Sequence, residues 1–508
     1  MKHDIPGAAL VFAAALMVAS AAQANSANGI AAVGLPDEPV TLDPAAGQSG
    51  YEMPYLYAIY DRLVDMDPAT LDLRPGLATE WHWMEDGRSL QLTLRRGVTF
   101  QDGTRLDAEA VKASLLHMQE TKVNHDLDPV DQIEVVDPYT LILHVNQDYS
   151  VLPAALADRA GMVVSPSALA KEGSDFNRKP VGAGPFMVTG WESGTALHMA
   201  KYQGYWNQAA TRLQGIDFRF IPNPTSMVAA VQSGQLDYAT GLDAIDLPML
   251  EKNPKLALET GPTVGFPSVW INTSIAPVND ARVRRAMNYA IDRQALARAV
   301  YGRAVKAMPA QLPVPPGYWT SDAANAAPFP YDLAKAKALL AAAGHPDGVT
   351  VPICVPSVGN GLPDRQVMDI LSEQMKPAGI RFDINEVATF AACGQQFFVQ
   401  HAIAAVLVTW SGRPDPYLTY LQLFGSKGPY NAGSTSYPGV DGLLAQLLAT
   451  PDRTAQKPLY AQLNRAWVKN APGVPLYYNV DSIAYNKGLG GVTPSLLARA
   501  YVRNLYFK

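Results

Sequence analysis

The chain is poor in cysteine: Cys354 and Cys393 are the only two among 508 residues. That excludes a disulfide-dense scaffold and a multi-thiolate metal cluster. Histidine is sparse as well. The eight are scattered, and no two stand at the i, i+4 spacing that puts both imidazoles on one helix face, so no bound metal is expected. Basic charge is not in excess, with 40 Lys and Arg against 46 Asp and Glu and a formal net charge of -6. A nucleic-acid surface or a polybasic membrane patch needs clustered cations, so neither is expected. The sequence holds no G-x-S-x-G, no H-E-x-x-H and no Cys/His set in a catalytic context. The common signatures of a hydrolase are therefore missing, and no enzyme activity or cofactor is expected. No internal repeat or low-complexity block occurs. After the first 24 residues no stretch is apolar enough to cross a bilayer, which takes about 20 residues.

What is there begins at the N-terminus. Lys2 gives a positive start, Ala8 to Ala22 is a short apolar run, and Ala22-Gln23-Ala24 has the small-x-small form of a cleavage site. Residues 1–24 are expected to be a signal peptide, cut after Ala24, with a mature chain beginning near Asn25. Neither cysteine follows that cut, so a lipid anchor is not expected and a diffusible periplasmic protein is. In such an oxidising compartment Cys354 and Cys393 have two readings, a disulfide or a pair of buried thiols, and the residues leave both open. With 48% hydrophobic and 17% charged residues the chain is globular and long enough for roughly two to four domains.

Early segments read as sheet. From Ser89 to Phe100, Leu90, Leu92 and Leu94 alternate with polar neighbours between the turn signals Asp86-Gly87 and Asp102-Gly103. Ile133 to Val145 reads as a hairpin about Asp137-Pro138, and Ile216, Phe218 and Phe220 mark a further half-buried strand. Helices follow later. Val283, Ala286, Met287, Ala290 and Ile291 share one helical face, with Asn279 or Asp280 as N-cap and Gly302 near the end. Arg284, Arg285, Asp292 and Arg293 are expected on that one helix, in surface or interlobe salt bridges. Asp332 opens another helix, its stripe of Leu333, Ala336, Leu340 and Ala343 stopped by Gly344. Strands alternating with helices point to an α/β fold with covered sheets.

From Thr41 to about Gly490 the sequence resembles the peptide- and nickel-type solute-binding proteins of bacterial ABC importers, also called family 5. Thr41-Leu42-Asp43-Pro44, Tyr60-Asp61-Arg62-Leu63-Val64, Pro75-Gly76-Leu77-Ala78 with Trp81, and Arg95-Arg96-Gly97-Val98-Thr99-Phe100-Gln101-Asp102-Gly103-Thr104 come in that family's order. Gly182-Ala183-Gly184-Pro185-Phe186, Tyr205-Trp206, Ser233-Gly234-Gln235-Leu236-Asp237, Asn272-Thr273 and Ala290-Ile291-Asp292-Arg293 continue it. Trp81 and Trp206 are expected in the core. The resemblance implies a periplasmic-binding-protein-like fold of two hinged lobes that close on a ligand. Lobe one would hold residues 25–264, with an inserted subdomain at about 52–180; lobe two would hold 265–482, and 483–508 would return to lobe one. It also implies a monomer that captures a peptide-like or amino-acid-derived small molecule and delivers it to an ABC permease with its ATPase subunits. A sensor or chaperone on the same fold, or a receptor for a metal chelate or a sugar, is the alternative, since fold does not fix function.

The binding residues centre on Leu407-Val408-Thr409-Trp410-Ser411-Gly412-Arg413-Pro414-Asp415-Pro416-Tyr417. The apolar run Ala402 to Val408 reads as a buried strand and the polar stretch after it as a loop, and ligands of open α/β sheets sit off the carboxyl ends of strands. The resemblance implies that Asp415 takes a ligand ammonium; its other reading is an Asp-Pro turn. Trp410 is a candidate pocket wall, with Ser411 and Gly412 beside it. Arg413 can clamp a carboxylate or phosphate with its planar fork, or pair with Asp415 or solvent. The arginine that dipeptide-specific relatives carry for the ligand carboxylate has no counterpart in Pro356-Ser357-Val358-Gly359-Asn360-Gly361. By resemblance Tyr51 and Met53 face the cleft and Phe266 lies at the lobe crossing; Asn431, after Tyr430, offers an amide.

Overall fold

The computed structural model describes residues 28–302, 307–321, 327–358 and 364–508; the expected signal peptide lies outside them. The chain forms two compact units. Of the described residues, unit 1 holds 28–147, Leu152–Gly261 and Asp481–Lys508, and unit 2 holds Asp148–Val151 and those within Pro262–Val480.

Unit 1 is built on a seven-stranded mixed sheet, in the order Leu256–Pro262, Val480–Asn486, Tyr238–Ala239, Ile30–Leu35, Gly215–Phe220, Ala196–Lys201, Phe186–Glu192. Ile30–Leu35 runs parallel to both Gly215–Phe220 and Tyr238–Ala239. A strand inside such a sheet is covered on both faces, and it is buried from Ala31 to Leu35. The helix Met53–Ile59, buried along its whole length, sets the Tyr55 ring edge-on to Phe218 at 4.8 Å.

The early alternating segments build a separate antiparallel sheet of Ala78–Trp83, Ser89–Leu94, Thr140–Val145 and Val130–Asp137. Its buried face carries Leu90, Leu92, Leu94, Leu141, Leu143 and Val145, and the hairpin pairs Ile133 with Leu143. The first strand of that reading ends at Leu94 and does not reach Phe100. The turn at Gly97 takes a φ of +75°, and Phe100 is buried from a loop that Asp102 folds by accepting from the Thr104 N–H. Trp81 and Trp206 are half-buried and not core; the Trp206 indole donates to Asp61 at 2.6 Å.

In unit 2 five strands lie in the order Ile380–Thr389, Val349–Val358, Ala405–Trp410, Phe266–Ile271, Gly473–Pro475. Val349–Val358 is parallel to the strands on either side, whereas Phe266–Ile271 is antiparallel to its neighbours. Cys354, mid-strand, is bonded to Cys393 on the short helix Phe390–Gly394.

The basic helix region differs from expectation. It is two helices, Ala281–Tyr289 capped by Asp280 and Arg293–Tyr301 capped by Asp292, whose side chain accepts from Ala295 N–H. Arg282 pairs with a carboxylate at the surface, that of the cap Asp280, whereas Arg284 and Arg293 form no surface ion pair among the described residues. Arg284 and Arg293 are buried, at 4% and 3% exposure. Arg284 donates to the carbonyls of Asn470, Ala471, Val278 and Asn279. Arg293 donates to the Pro475 and Asn288 carbonyls and to the Asn288 side chain. Burial without a carboxylate lowers the Arg293 guanidinium to about 9.

Candidate functional site

The edge of the unit 2 sheet assembles the predicted loop. Antiparallel pairing sets Phe266, the first residue of its strand, opposite Trp410, the last of its own. Val349–Val358 runs parallel to Ala405–Trp410, so its carboxyl end points to the same edge. Trp410 is buried and its indole donates to Thr419 Oγ1 at 3.2 Å. Around it stand Trp270 at 6.1 Å and Tyr430 at 5.5 Å, and Phe398 lies 5.7 Å from Trp270 and 5.5 Å from Tyr430. Edge-to-face and tilted packing of this kind adds to apolar burial. Phe398 sits on the π-helical turn Gln395–Val399, directly after the helix that Cys393 ties to the sheet. The disulfide therefore braces the segment that presents this ring.

Beyond Trp410 the chain turns at Gly412, whose φ is +78°. A Cβ there would lie 2.4 Å from Val264 Cγ2, so only glycine lets the loop pack this closely. Ser411 is exposed and Arg413 half-buried. The Arg413 guanidinium lies 4.5 Å from the Trp410 ring centre, as a cation–π pair. Its acceptors include Ser411 Oγ at 3.2 Å, the Gly412 carbonyl at 2.8 Å and Gln422 Oε1 at 3.3 Å.

Asp415 is engaged within the protein. It is the N-cap of the helix Pro416–Phe424, and its Oδ1 accepts the Tyr417 N–H at 2.8 Å and, more weakly, the Tyr460 hydroxyl at 3.4 Å. Burial raises its pKa against those bonds. Asn431 is likewise engaged. Its amide donates to the Gly425 and Thr435 carbonyls and its oxygen accepts the Thr435 N–H. Phe266 is buried edge-on to Tyr478. In unit 1, Met53 is buried at the start of its helix, whereas Tyr51, two residues earlier in the short turn Gly50–Glu52, is 59% exposed. Sequence reasoning missed Trp270 and Phe398; the apolar strand around Trp270 reads as core, and no local pattern marks a π-helical turn.

Residues 72–432, well over half of the chain, match the family described as bacterial extracellular solute-binding proteins, family 5 middle. The chain belongs to that family. It is 30% identical to the glutathione-binding protein GsiB of Salmonella paratyphi A over 471 residues, with 89% of each chain covered. Among solved structures, HbpA2 from Haemophilus parasuis shares the fold with a TM-score of 0.84 at 21% identity, covering 94% of this chain and 100% of that one. A dipeptide-binding protein from Pseudoalteromonas sp. SM9913, in complex with Met-Leu, has a TM-score of 0.76 at 21% identity, with the same coverage. The periplasmic-binding-protein-like α/β fold expected from the resemblance is therefore the fold observed. Family 5 members are extracellular binding proteins, and this chain is a solute-binding protein of the ABC-importer kind. Among the described residues no helix is long and apolar enough to cross a membrane.

Proposed function

We propose that this protein, exported by cleavage after Ala24, acts as a monomer that captures a small peptide-like or amino-acid-derived ligand and hands it to an ABC permease. It carries out no chemistry on that ligand. Arg413 takes a ligand carboxylate, in charge-assisted bonds worth about 1.5–3 kcal/mol. The exposed Ser411 hydroxyl lies beside it, and the cluster of Trp270, Phe398, Trp410 and Tyr430 gives the apolar wall. Asp415 and Asn431 shape the loop that presents Arg413. The observation that carries this reading is a half-buried guanidinium stacked on Trp410 where its strand ends. Support for a peptide-like ligand comes from the glutathione named for one relative and the Met-Leu bound to another.

The test is a thermal-shift screen of glutathione, dipeptides, metal chelates and sugars, with mass spectrometry of whatever co-purifies. A ligand at 100 times its Kd should stabilise the protein by about 2.7 kcal/mol, and Arg413→Ala should abolish that gain. Stabilisation by a chelate or sugar alone would overturn the peptide reading. An unchanged gain in Arg413→Ala would remove Arg413 from the site.

A further inference from the structure

Unit 1 holds a cavity of about 290 Å³, and every residue lining it belongs to that unit. Its wall sets three guanidiniums, Arg62, Arg74 and Arg503, against two carboxylates, Asp61 and Asp65. Both carboxylates are engaged. Asp61 accepts from the Trp206 indole at 2.6 Å, from the Tyr205 hydroxyl at 3.2 Å and from Arg503. Asp65 accepts from Arg62 and, at 2.9 Å, from Arg74 Nε. Arg74 also pairs with Asp67 at 3.3 Å, so each of the three guanidiniums has a carboxylate partner. A fourth cation, Arg95, stacks on the Trp206 ring with its guanidinium carbon 3.9 Å from the ring centre.

Arg503 is the decisive group. Its side chain is only 11% exposed, and it bonds to Asp61 and to the Tyr205 oxygen through Nη2 alone. Among the described residues, none accepts from its Nε or Nη1. Its Nε and Nη1 donors are thus left to solvent or a ligand, and a guanidinium's planar fork suits a carboxylate or phosphate. The cavity could hold about ten water molecules at ~30 Å³ each, the low end of ligand pockets at about 300 Å³. That is room for one compact molecule.

We propose that this cavity is a second ligand site, which takes a compact oxyanion, a carboxylate or phosphate group on a small molecule, on Arg503. It is independent of the Arg413 loop, so the two sites load separately.

The experiment is calorimetric titration of the full mature chain with inorganic phosphate and with succinate, at fixed ionic strength and with chloride as control. It is run in the wild type and in an Arg413→Ala background, so that the transport site does not report. One saturable site for at least one anion is expected, with the same affinity in both backgrounds; the preferred anion identifies the ligand class. Arg503→Gln should weaken it at least tenfold. Should Arg503→Gln fail to fold by circular dichroism, Ala210→Phe, which crowds the cavity and leaves every charge in place, carries the decision with the same expected loss. No saturable heat from either anion would overturn the proposal. So would affinity unchanged in the folded variants, or binding lost on Arg413→Ala.

Discussion

Asp415→Ala is expected to cost stability in the ligand-free protein. The carboxylate caps the helix Pro416–Phe424 through the Tyr417 N–H, and losing an N-cap costs about 1 kcal/mol. The Tyr460 hydroxyl, in a residue with no exposed surface, also loses an acceptor. That bond is long at 3.4 Å, so the low end of the penalty for an unsatisfied buried group applies, about 1 kcal/mol. Against this, burial already strains the Asp415 charge, as its raised pKa records, and alanine relieves that strain. The net loss is about 1–2 kcal/mol, or roughly 2–8 °C in the unfolding midpoint for a unit of this size. Asp415→Ser keeps a capping oxygen and should recover about half of the loss. Arg413→Ala, which removes bonds at a half-exposed position, should cost under about 1 kcal/mol. The assay is urea unfolding, with scanning calorimetry, on the ligand-free variants. A midpoint unchanged in Asp415→Ala, together with loss of ligand stabilisation, would refute the capping argument and make the carboxylate a ligand group.

Other expectations are shorter. Burial pushes the Asp481 carboxyl up to about 6, against bonds from the Ser495 N–H and the Thr240 hydroxyl. A raised folded-state pKa contributes stability that is complete below the unfolded value of about 3.9 and is lost as pH rises through about 6. Between pH 4 and 7 the wild type should therefore lose roughly 2 kcal/mol relative to Asp481→Asn, and a flat difference across urea unfolding at each pH would contradict this. The disulfide closes a span of 39 residues, worth about 4 kcal/mol in chain entropy. A Cys354→Ala/Cys393→Ala variant should unfold at lower urea by a comparable free energy, and a loss below about 1 kcal/mol would show that the bridge does not stabilise unit 2. Gly412→Ala should destabilise by about 1–2 kcal/mol through its left-handed backbone and the clash with Val264; a neutral result would mean that the loop is not pinned.

What could be read from the sequence followed from local physics. Alternation of period two located the hairpin of Ile133 and Leu143, because one face of that sheet is buried and the other is not. The caps Asp280 and Asp332 were legible, since each carboxylate accepts an N–H two or three residues ahead. Misreadings came where partners are remote. A continuous apolar stripe from Val283 to Ile291 looks like one helix, yet Asp292 restarts the chain by capping a second. The destinations of Arg284 and Arg293 depend on carbonyls near residues 470–475, more than 170 positions away, and charge pattern alone suggests surface pairs.

The loop after Trp410 shows the same division within a few residues. Arg413 and Asp415 are both polar groups behind an apolar strand, and either suits a charged ligand. A local signal for the capping role was present though unused: aspartate followed by proline at the head of Tyr417, Tyr420 and Phe424 is a helix start, and Asp415 caps it through Oδ1. Arg413 caps no helix, and its long stem lets the guanidinium lie on Trp410 while Ser411, Gly412 and Gln422 accept from it. The aromatic wall had no signal of comparable strength, because Trp270 and Phe398 come from different strand and turn segments that meet only through sheet register and the Cys354–Cys393 bridge. If the disulfide places Phe398, its loss should weaken ligand binding more than its stability cost alone explains. Affinity measured well below the double variant's unfolding midpoint tests that, and an affinity equal to wild type there would separate the bridge from the site.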